Sequence, residues 1–442
     1  MKSIGSLDSP SDLEEVGRFA RAKGWVVTSN SSVAKLYADN ILLGEIHPHI
    51  HRPDVKNAYP KIKIIQPPGF DQLFSMPDIQ KGIHTLSLRT SDDPSKIISS
   101  RQIKYNNEID YMTKIVGIEM SARCNFHCDM CPAHSEKSKY SMKKDIADDE
   151  LLNRVTPFLK KFSNQIERID AGAVWGEPLM DSKYFENTHK ISSACPKASI
   201  DITTNGSFLT KLNIEKLLNL DYLRYVSISV DAGTKETYEK IRKGGKWETL
   251  VQNISELINE RKNRDLKKPL VSTNFVLMRD NFRELPQYVK KMVELNVDAI
   301  CAVHVHNAYA SDSDQGVFDL PWKKNDVSKE RDQVIKEAMN LDLPSNVSLN
   351  LPSCTPSKPS GECSFNGSST MIVGIEGDVY PCCVIQSLNY EGRSEVSSMG
   401  NIFQEDLEHI RNSRKYVDFR GKMMSGKAPN SVCYECPFFY NM

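Results

Sequence analysis

The stretch Glu119-Met-Ser-Ala-Arg-Cys124-Asn-Phe-His-Cys128-Asp-Met-Cys131-Pro132 carries three cysteines spaced C-x3-C-x2-C, just after an apolar run, Ile115-Val-Gly-Ile118, that reads as a strand. Three thiolates on one short loop are one fewer than the four that commonly hold a four-iron, four-sulfur cube. A cube held this way keeps one iron without a protein ligand, and that iron can bind a second molecule. Zinc is the other chemistry this donor set admits, with His127 or His134 as a further ligand. Structural zinc sites more often draw on two separated cysteine pairs.

Around the loop the pattern alternates between strand and helix. Strands are expected over Lys114–Met120, Ile166–Ala173, Ala198–Thr204, Tyr222–Asp231, Leu270–Met278 and Asp298–His306. Helices are expected over Asp148–Phe162, 212–220, 234–242, 247–262 and Arg283–Leu295. Six strands joined by helices form the crossover-connected parallel arrangement. Side chains alternate between strand faces. Asp201, Thr203 and Asn205 fall together opposite Ile200 and Ile202; Ser227, Ser229 and Asp231 fall opposite Val226, Ile228 and Val230. Ser272 and Asn274 share a face, and His304 and His306 fall opposite Val303 and Val305. The polar faces are expected to line a lumen and the apolar faces to pack on outer helices. A closed eight-stranded barrel fills its interior with branched apolar side chains, so this pattern predicts a more open barrel with ligands inside.

The loop resembles the signature of the radical S-adenosylmethionine (radical SAM) enzymes, C-x3-C-x-aromatic-C, with Met130 at the aromatic position. The resemblance covers roughly residues 112–310. It implies a partial (β/α)6 barrel and a 4Fe–4S cluster on Cys124, Cys128 and Cys131. It also implies that the open iron binds SAM, which reduction cleaves to methionine and a 5′-deoxyadenosyl radical that takes a hydrogen atom from substrate. Gly176-Glu177-Pro178 stands where the family has Gly-Gly-Glu-Pro, with Trp175 replacing the first glycine. This segment, by resemblance, binds the SAM amino group. Ser229 and Asp231 match the fourth-strand motif that contacts SAM, and Asn205 belongs to the motif ending the third strand. Arg242 matches an arginine placed on the SAM carboxylate, a task suited to a planar guanidinium. His304 and His306 are expected towards the substrate, as the catalytic candidates.

The C-terminal third carries Cys363, then Gly377 and Cys382, then a Cys433-x2-Cys436 pair. This C-x(9–15)-G-x4-C…C-x2-C pattern resembles the auxiliary-cluster domains called SPASM and twitch. The absence of three further cysteines points to the shorter twitch form. Gly377-Asp378 suits a hairpin turn between Ser369–Gly374 and Val379–Cys382. The resemblance implies one auxiliary 4Fe–4S cluster fully ligated by Cys363, Cys382, Cys433 and Cys436, acting as an electron relay. Cys383 is a substitute for Cys382, and a zinc ribbon is the alternative for this region.

Of eleven cysteines, the two motifs use seven. Cys195, Cys301, Cys354 and Cys383 remain, and free cysteine commonly behaves as a small buried apolar residue. The start of the chain lacks an apolar leader core and no apolar run is long enough to span a bilayer, so a cytoplasmic protein without disulfides is expected. Lys+Arg and Asp+Glu both number 57 in 442 residues, and this balance lacks the electrostatic signature of a nucleic-acid binder.

The length suggests two or three domains: residues 1–105, an N-terminal α+β domain and candidate for substrate recognition; 106–310, the barrel; and 311–442, a linker and the auxiliary-cluster domain. In the first, Asp12–Lys23 reads as helix. Trp25–Thr28, Ala34–Ala38, Ile41–Ile46 and Lys61–Ile65 read as strands, with Asp39-Asn40 as a hairpin turn. His47, His49 and His51 read as polar positions at a strand end. Residues 307–330 read as a loop.

The chain is therefore expected to be an α/β radical SAM enzyme that abstracts a substrate hydrogen atom. Oxidation, epimerisation or bond formation would follow on a carbohydrate-like or peptide substrate. A small carrier such as flavodoxin or ferredoxin would donate electrons. The competing class is a non-catalytic zinc-binding module with two cysteine-rich sites.

Overall fold

The computed structural model describes residues 3–28, 34–46, 48, 50–62, 64, 67–77, 79–106, 113–134, 144–172, 175–305, 315–357, 363, 367, 369–390, 397–424 and 426–442. His47, His49 and His306 lie outside them. The chain divides into two compact units: residues 1–112 with 360–362 and 417–429, and residues 113–359 with 363–416 and 430–442.

In the first unit the strands are β1 (Ile4–Ser9), β2 (Glu14–Val16), β3 (Phe19–Val27), β4 (Ala34–Ala38), β5 (Ile41–Glu45), β6 (Gly69–Ser75), β7 (Gly82–Thr90) and β8 (Ile97–Tyr105), with a short helix, α1 (Pro53–Ala58), and, from residue 417 on, most of the helix Arg414–Met424. They form a three-stranded sheet, β1-β3-β6, and a five-stranded sheet, β2-β8-β7-β4-β5. Leu7, Ala20, Ala22, Phe70, Leu36, Leu86 and Ile103 from both sheets make one buried cluster. The expected helix over Asp12–Lys23 is instead β2 and most of β3. Alanine, arginine and lysine favour helix locally, but here period-2 burial prevails. Ala20 and Ala22 are buried, while Arg21 reaches out to Asp71 at 2.7 Å. Antiparallel partners on both sides complete β3. Gly24 is required there, since a Cβ would come within 2.1 Å of the Ser6 carbonyl oxygen. The hairpin at Asp39-Asn40 forms as expected, with Asp39 at φ 50°. Ile62 and Ile64, in the expected strand Lys61–Ile65, are not in a strand.

In the second unit six parallel strands follow: β9 (Ile115–Ile118), β10 (Arg168–Ala171), β11 (Ser199–Thr204), β12 (Leu223–Ser229), β13 (Leu270–Leu277) and β14 (Ala299–His304). Between them run α2 (Asp149–Lys161), α3 (Tyr184–Ala194), α4 (Lys211–Leu218), α5 (Lys235–Ile241), α6 (Trp247–Asn263) and α7 (Leu285–Glu294). Asp148 caps α2 by accepting from the Leu151 N–H at 2.9 Å, the side-chain cap expected of aspartate at a helix start. α3 and α8 (Ser328–Met339) were not legible in the sequence; α8 takes the end of the stretch expected to be a loop.

β15 (Ser348–Asn350) extends this sheet beyond β14. At the other edge β16 (Thr370–Val373) pairs parallel to β9, and β17 (Val379–Tyr380) returns antiparallel to β16. The C-terminal hairpin is thus built onto the first barrel strand, and among the described residues the sheet has nine strands. Gly377 turns it at φ 85°, where a Cβ would lie 2.5 Å from the Phe403 ring. Outer faces pack on the helices: Val226, Ile228, Phe275 and Ile300 are fully buried, each side chain contributing about 1.5–3 kcal/mol by leaving water.

Register fixes which residues share the inner face. Ser229 pairs with Asn274 and Asn274 with Cys301, while Val276 pairs with Val303 and Leu277 with His304. The expected phase holds for β11, β12 and β13. In β14 the register sets Cys301 beside Asn274, Val303 beside Val276 and His304 beside Leu277, and Val303, His304 and Val305 all reach the cavity.

Candidate functional site

The cysteine loop is clamped from two sides. The Glu177 N–H donates to the Arg123 carbonyl at 2.6 Å; on the other side the His127 and Asp129 N–H groups donate to the carbonyls of Lys243 (2.8 Å) and Ile241 (3.0 Å). Two glycines permit this approach. At Gly176 (φ 74°) a Cβ would lie 2.3 Å from the Ser121 carbonyl oxygen, and at Gly244 (φ 97°) 2.9 Å from that of Asn125. Gly176→Ala combines left-handed strain with a backbone clash, a cost of about 1–3 kcal/mol from the backbone conformation alone. We expect it to displace the loop, so that the purified variant holds less iron than wild type and unfolds at lower temperature. Wild-type iron content and melting temperature would contradict this account of the glycine.

Cys124, Cys128 and Cys131 line one cavity of about 330 Å³ together with Gly176, Asn205, Ser229 and Arg242. Burial pushes Cys124 up to about 11 and Cys128 up to about 12; Cys131 raises both further, and Cys124 raises Cys128. Free thiols here stay protonated at neutral pH, so a group that replaces their protons by positive charge suits the site. No three His, Cys, Asp or Glu side chains among the described residues converge as a single-ion site would. Asn205 Nδ2 lies 3.9 Å from Cys124 Sγ and donates to Asn125 Oδ1 at 3.0 Å.

Arg242 is 9% exposed, and its Nη1 lies 3.8 Å from Cys128 Sγ. Burial opposes its charge, but Asp231 and Cys128 outweigh burial and raise its pKa. Asp231, at φ 61°, accepts from Arg242 Nε at 2.7 Å and from the Val276 N–H at 2.7 Å. Asp231 therefore orients the arginine and does not line the cavity. Glu177 is likewise fully buried and outside the lining. It accepts from the Thr204 hydroxyl (2.6 Å) and from the N–H groups of Asn205 (2.7 Å) and Leu179 (3.3 Å), tying the ends of the second and third strands together. Burial lifts it to about 7 against these three donors.

His304 borders the cavity at the end of β14, but its ring is engaged elsewhere. Nε2 lies 2.8 Å from the Ser353 carbonyl oxygen, and the ring packs edge-on against Phe318. Burial depresses its pKa to about 4, so the imidazole is neutral at physiological pH and Nε2 carries the proton that bonds Ser353. His304 thus lines the cavity as expected, but shares that stretch of wall with Val303 and Val305, and its Nε2 is engaged by the Ser353 carbonyl.

The C-terminal cysteines gather as a second set. Cys363 Sγ accepts from the Gly367 N–H at 3.3 Å, and Cys382 Sγ from the Ile385 N–H at 3.5 Å. Asn430 caps the helix Ser431–Glu435 by accepting from the Cys433 N–H at 2.9 Å. Burial raises Cys382 and Cys436, and Cys363 and Cys433 act on both. Cys383 opens α9 (Cys383–Tyr390) and, unlike Cys382, lines the first cavity with Val384, Ser387 and Phe438. Sequence reasoning missed these four wall residues, together with Phe126, Val276 and Val303.

Residues 118–298 match the Radical SAM superfamily model, and residues 363–437 match the SPASM model, an iron-sulfur cluster-binding domain. The chain is 23% identical over 317 residues to the tungsten-containing aldehyde ferredoxin oxidoreductase cofactor-modifying protein of Pyrococcus furiosus, spanning 70% of this chain and 83% of that protein. It is 26% identical over 152 residues to GTP 3′,8-cyclase of Lactiplantibacillus plantarum, covering 34% of this chain and only 44% of the cyclase. The crystal structure of Streptococcus suis SuiB bound to precursor peptide SuiA shares the fold, with a TM-score of 0.52 at 15% identity over 76% of this chain and 72% of SuiB.

Proposed function

We propose, for a chain that belongs to the radical SAM superfamily and carries a C-terminal SPASM domain, that the cavity holds SAM against a cluster on Cys124, Cys128 and Cys131 and presents it to a peptide substrate. The cofactors are SAM and 4Fe–4S clusters. When bound and reduced, the first cluster supplies the electron that splits SAM and so yields the 5′-deoxyadenosyl radical. The residues do the rest. Arg242, held in place by Asp231, takes the SAM carboxylate. Gly176, Asn205 and Ser229 bound the space for its amino-acid end, and Glu177 keeps Thr204 and Asn205 in position. Cys363, Cys382, Cys433 and Cys436 would hold the auxiliary cluster, which would supply a second one-electron redox centre beside the cavity. The observation that carries this reading is the sharing of one cavity by the three loop cysteines, Arg242 and the helix that follows Cys382.

A peptide is favoured over a phosphorylated nucleotide by the wall itself. Among the described residues lining it, Arg242 alone bears a permanent charge, and Phe126, Met130, Trp175, Val276, Val303 and Phe438 make the rest largely apolar. Apolar walls with few polar groups suit an uncharged side chain. SuiB, whose fold this chain shares, was crystallised with a precursor peptide. Recognition of the peptide is assigned to residues 1–105, where β5 stands at the edge of its sheet with Ile41 and Leu42 exposed, an arrangement that can accept an added strand. Protein prepared anaerobically should contain about eight irons per chain, four for each cube, and release 5′-deoxyadenosine from SAM with dithionite. Stoichiometric zinc without iron would overturn the proposal.

A further inference from the structure

Glu119 leads from β9 into the cysteine loop and is completely buried. A buried carboxylate ordinarily meets a cation, because an unpaired charge away from water is costly. None of the described residues supplies one here. Glu119 Oε2 accepts from the Ile375 N–H at 2.8 Å, in the turn of the C-terminal hairpin, and from Gln386 Nε2 at 3.4 Å, on α9. The charged group that acts on it is Glu376, in the same turn and of the same sign. Glu119 Oε1 has no partner. Gln386 is equally buried, and its Oε1 has no partner either. Two buried side chains in contact thus each keep an acceptor oxygen unanswered, and native interiors hold few such atoms. One proton settles both, since a protonated carboxyl has an O–H to donate. Burial and Glu376 favour that neutral form, against the Ile375 N–H.

We propose that Glu119 is a positioning residue of the cavity, a protonated carboxyl whose hydroxyl donates to Gln386 Oε1 and holds α9 against the segment that carries the cysteine loop. The placement gives this bond its consequence. α9 begins at Cys383, directly after Cys382, and supplies Cys383, Val384 and Ser387 to the cavity wall. Gln386 lies within that same stretch. Glu119, at the other end of the bond, opens the loop of Cys124, Cys128 and Cys131. The two side chains thus join a segment of each cysteine set, beyond the backbone pairing of β9 with β16. An ionised carboxylate could not do this, because it accepts only and leaves Gln386 Oε1 without a donor. The effect on SAM rests on the assignment of the cavity to SAM; the proton does not.

The test compares wild type with Glu119→Gln, Glu119→Ala and Gln386→Met, each as the reconstituted full chain. At mildly alkaline pH Asp170 and Glu177 are ionised. Wild type should still show the infrared carbonyl band of a protonated carboxyl, absent from Glu119→Gln and displaced in Gln386→Met. An amide at position 119 donates N–H where the acid donates O–H. Glu119→Gln should therefore keep the KM for SAM within about twofold of wild type, while Glu119→Ala, which leaves Gln386 unpaired, should raise it about tenfold. Should Glu119→Ala fail to fold, Gln386→Met takes its place in this comparison. Stability gives an independent reading. The unfolded chain releases the Glu119 proton above the usual carboxylate range, and folding must take it back. Wild type should match Glu119→Gln below that range and lose stability relative to it as pH rises. An ionised Glu119 in the infrared spectrum, a Gln variant as impaired as the Ala variant, a wild-type KM in the Ala variant, or parallel stability curves would each overturn the proposal. If wild type forms no 5′-deoxyadenosine, the assignment of the cavity to SAM falls, while the band and the stability curves still decide the proton.

Discussion

Replacing Cys124, Cys128 and Cys131 together by alanine should reduce 5′-deoxyadenosine formation to the level seen without enzyme. The fall should exceed about a thousandfold, since enzymatic accelerations generally begin near a millionfold. Iron should drop by about four per chain, the content of one cube, and the remainder should keep the spectroscopic signature of a cluster. The reasoning is structural. The three thiols share one wall of one cavity with Arg242, while Cys363, Cys382, Cys433 and Cys436 belong to other elements and act on one another. Loss of one set therefore need not empty the other. SAM cleavage persisting above background in the triple variant would refute the assignment. Loss of all the iron would show that the two sets do not fold independently.

The barrel could be read from the sequence because its strands are short apolar runs with clean alternation, bounded by turn residues. Ile200, Ile202, Val226 and Ile228 occupy the buried face their spacing predicts. The same rule fails in β14 for a physical reason. It takes polar residues alone to face the lumen, but Val276, Val303 and Val305 share the wall there with His304, whose ring is held by a carbonyl partner. In the first unit, alanine, arginine and lysine favour helix over Asp12–Lys23, and two flanking strands override that weak preference. Glu177 and Asp231 were located as parts of the site, yet their task of positioning Thr204, Asn205 and Arg242 appears only once the strand ends are side by side. Cys383, Val384 and Phe438 reach the cavity because β16 pairs with β9 across some 250 residues of sequence. Such a pairing leaves no local trace in the sequence.

Changing Cys436 to alanine should separate two steps that the wild-type chain couples. Cys436 is buried beside Cys433 and Cys363 and lies outside the cavity lining, so its loss should not disturb the loop cysteines, Arg242 or Ser229. Hydrogen abstraction depends on those residues and should survive. Completion of the reaction depends on an electron passing through the auxiliary site and should fail. With a substrate deuterated at the reacting carbon, transfer of deuterium into 5′-deoxyadenosine should stay within about twofold of wild type, while product yield drops at least about tenfold, the pattern of a variant that has lost a later step. The auxiliary cluster should be lost or left with an open iron, visible as a change in iron count or spectrum while the first cluster persists. Burial strengthens this expectation: Cys363, Cys433 and Cys436 are buried, so an iron that loses its thiolate has little water at hand to replace it. If the variant keeps both its cluster content and full product yield, the relay role is wrong. If Cys383→Ala removes the auxiliary cluster and Cys382→Ala does not, the ligand is the thiol that lines the cavity. The auxiliary cluster would then stand at the substrate's own wall, and its electron would have no protein left to cross.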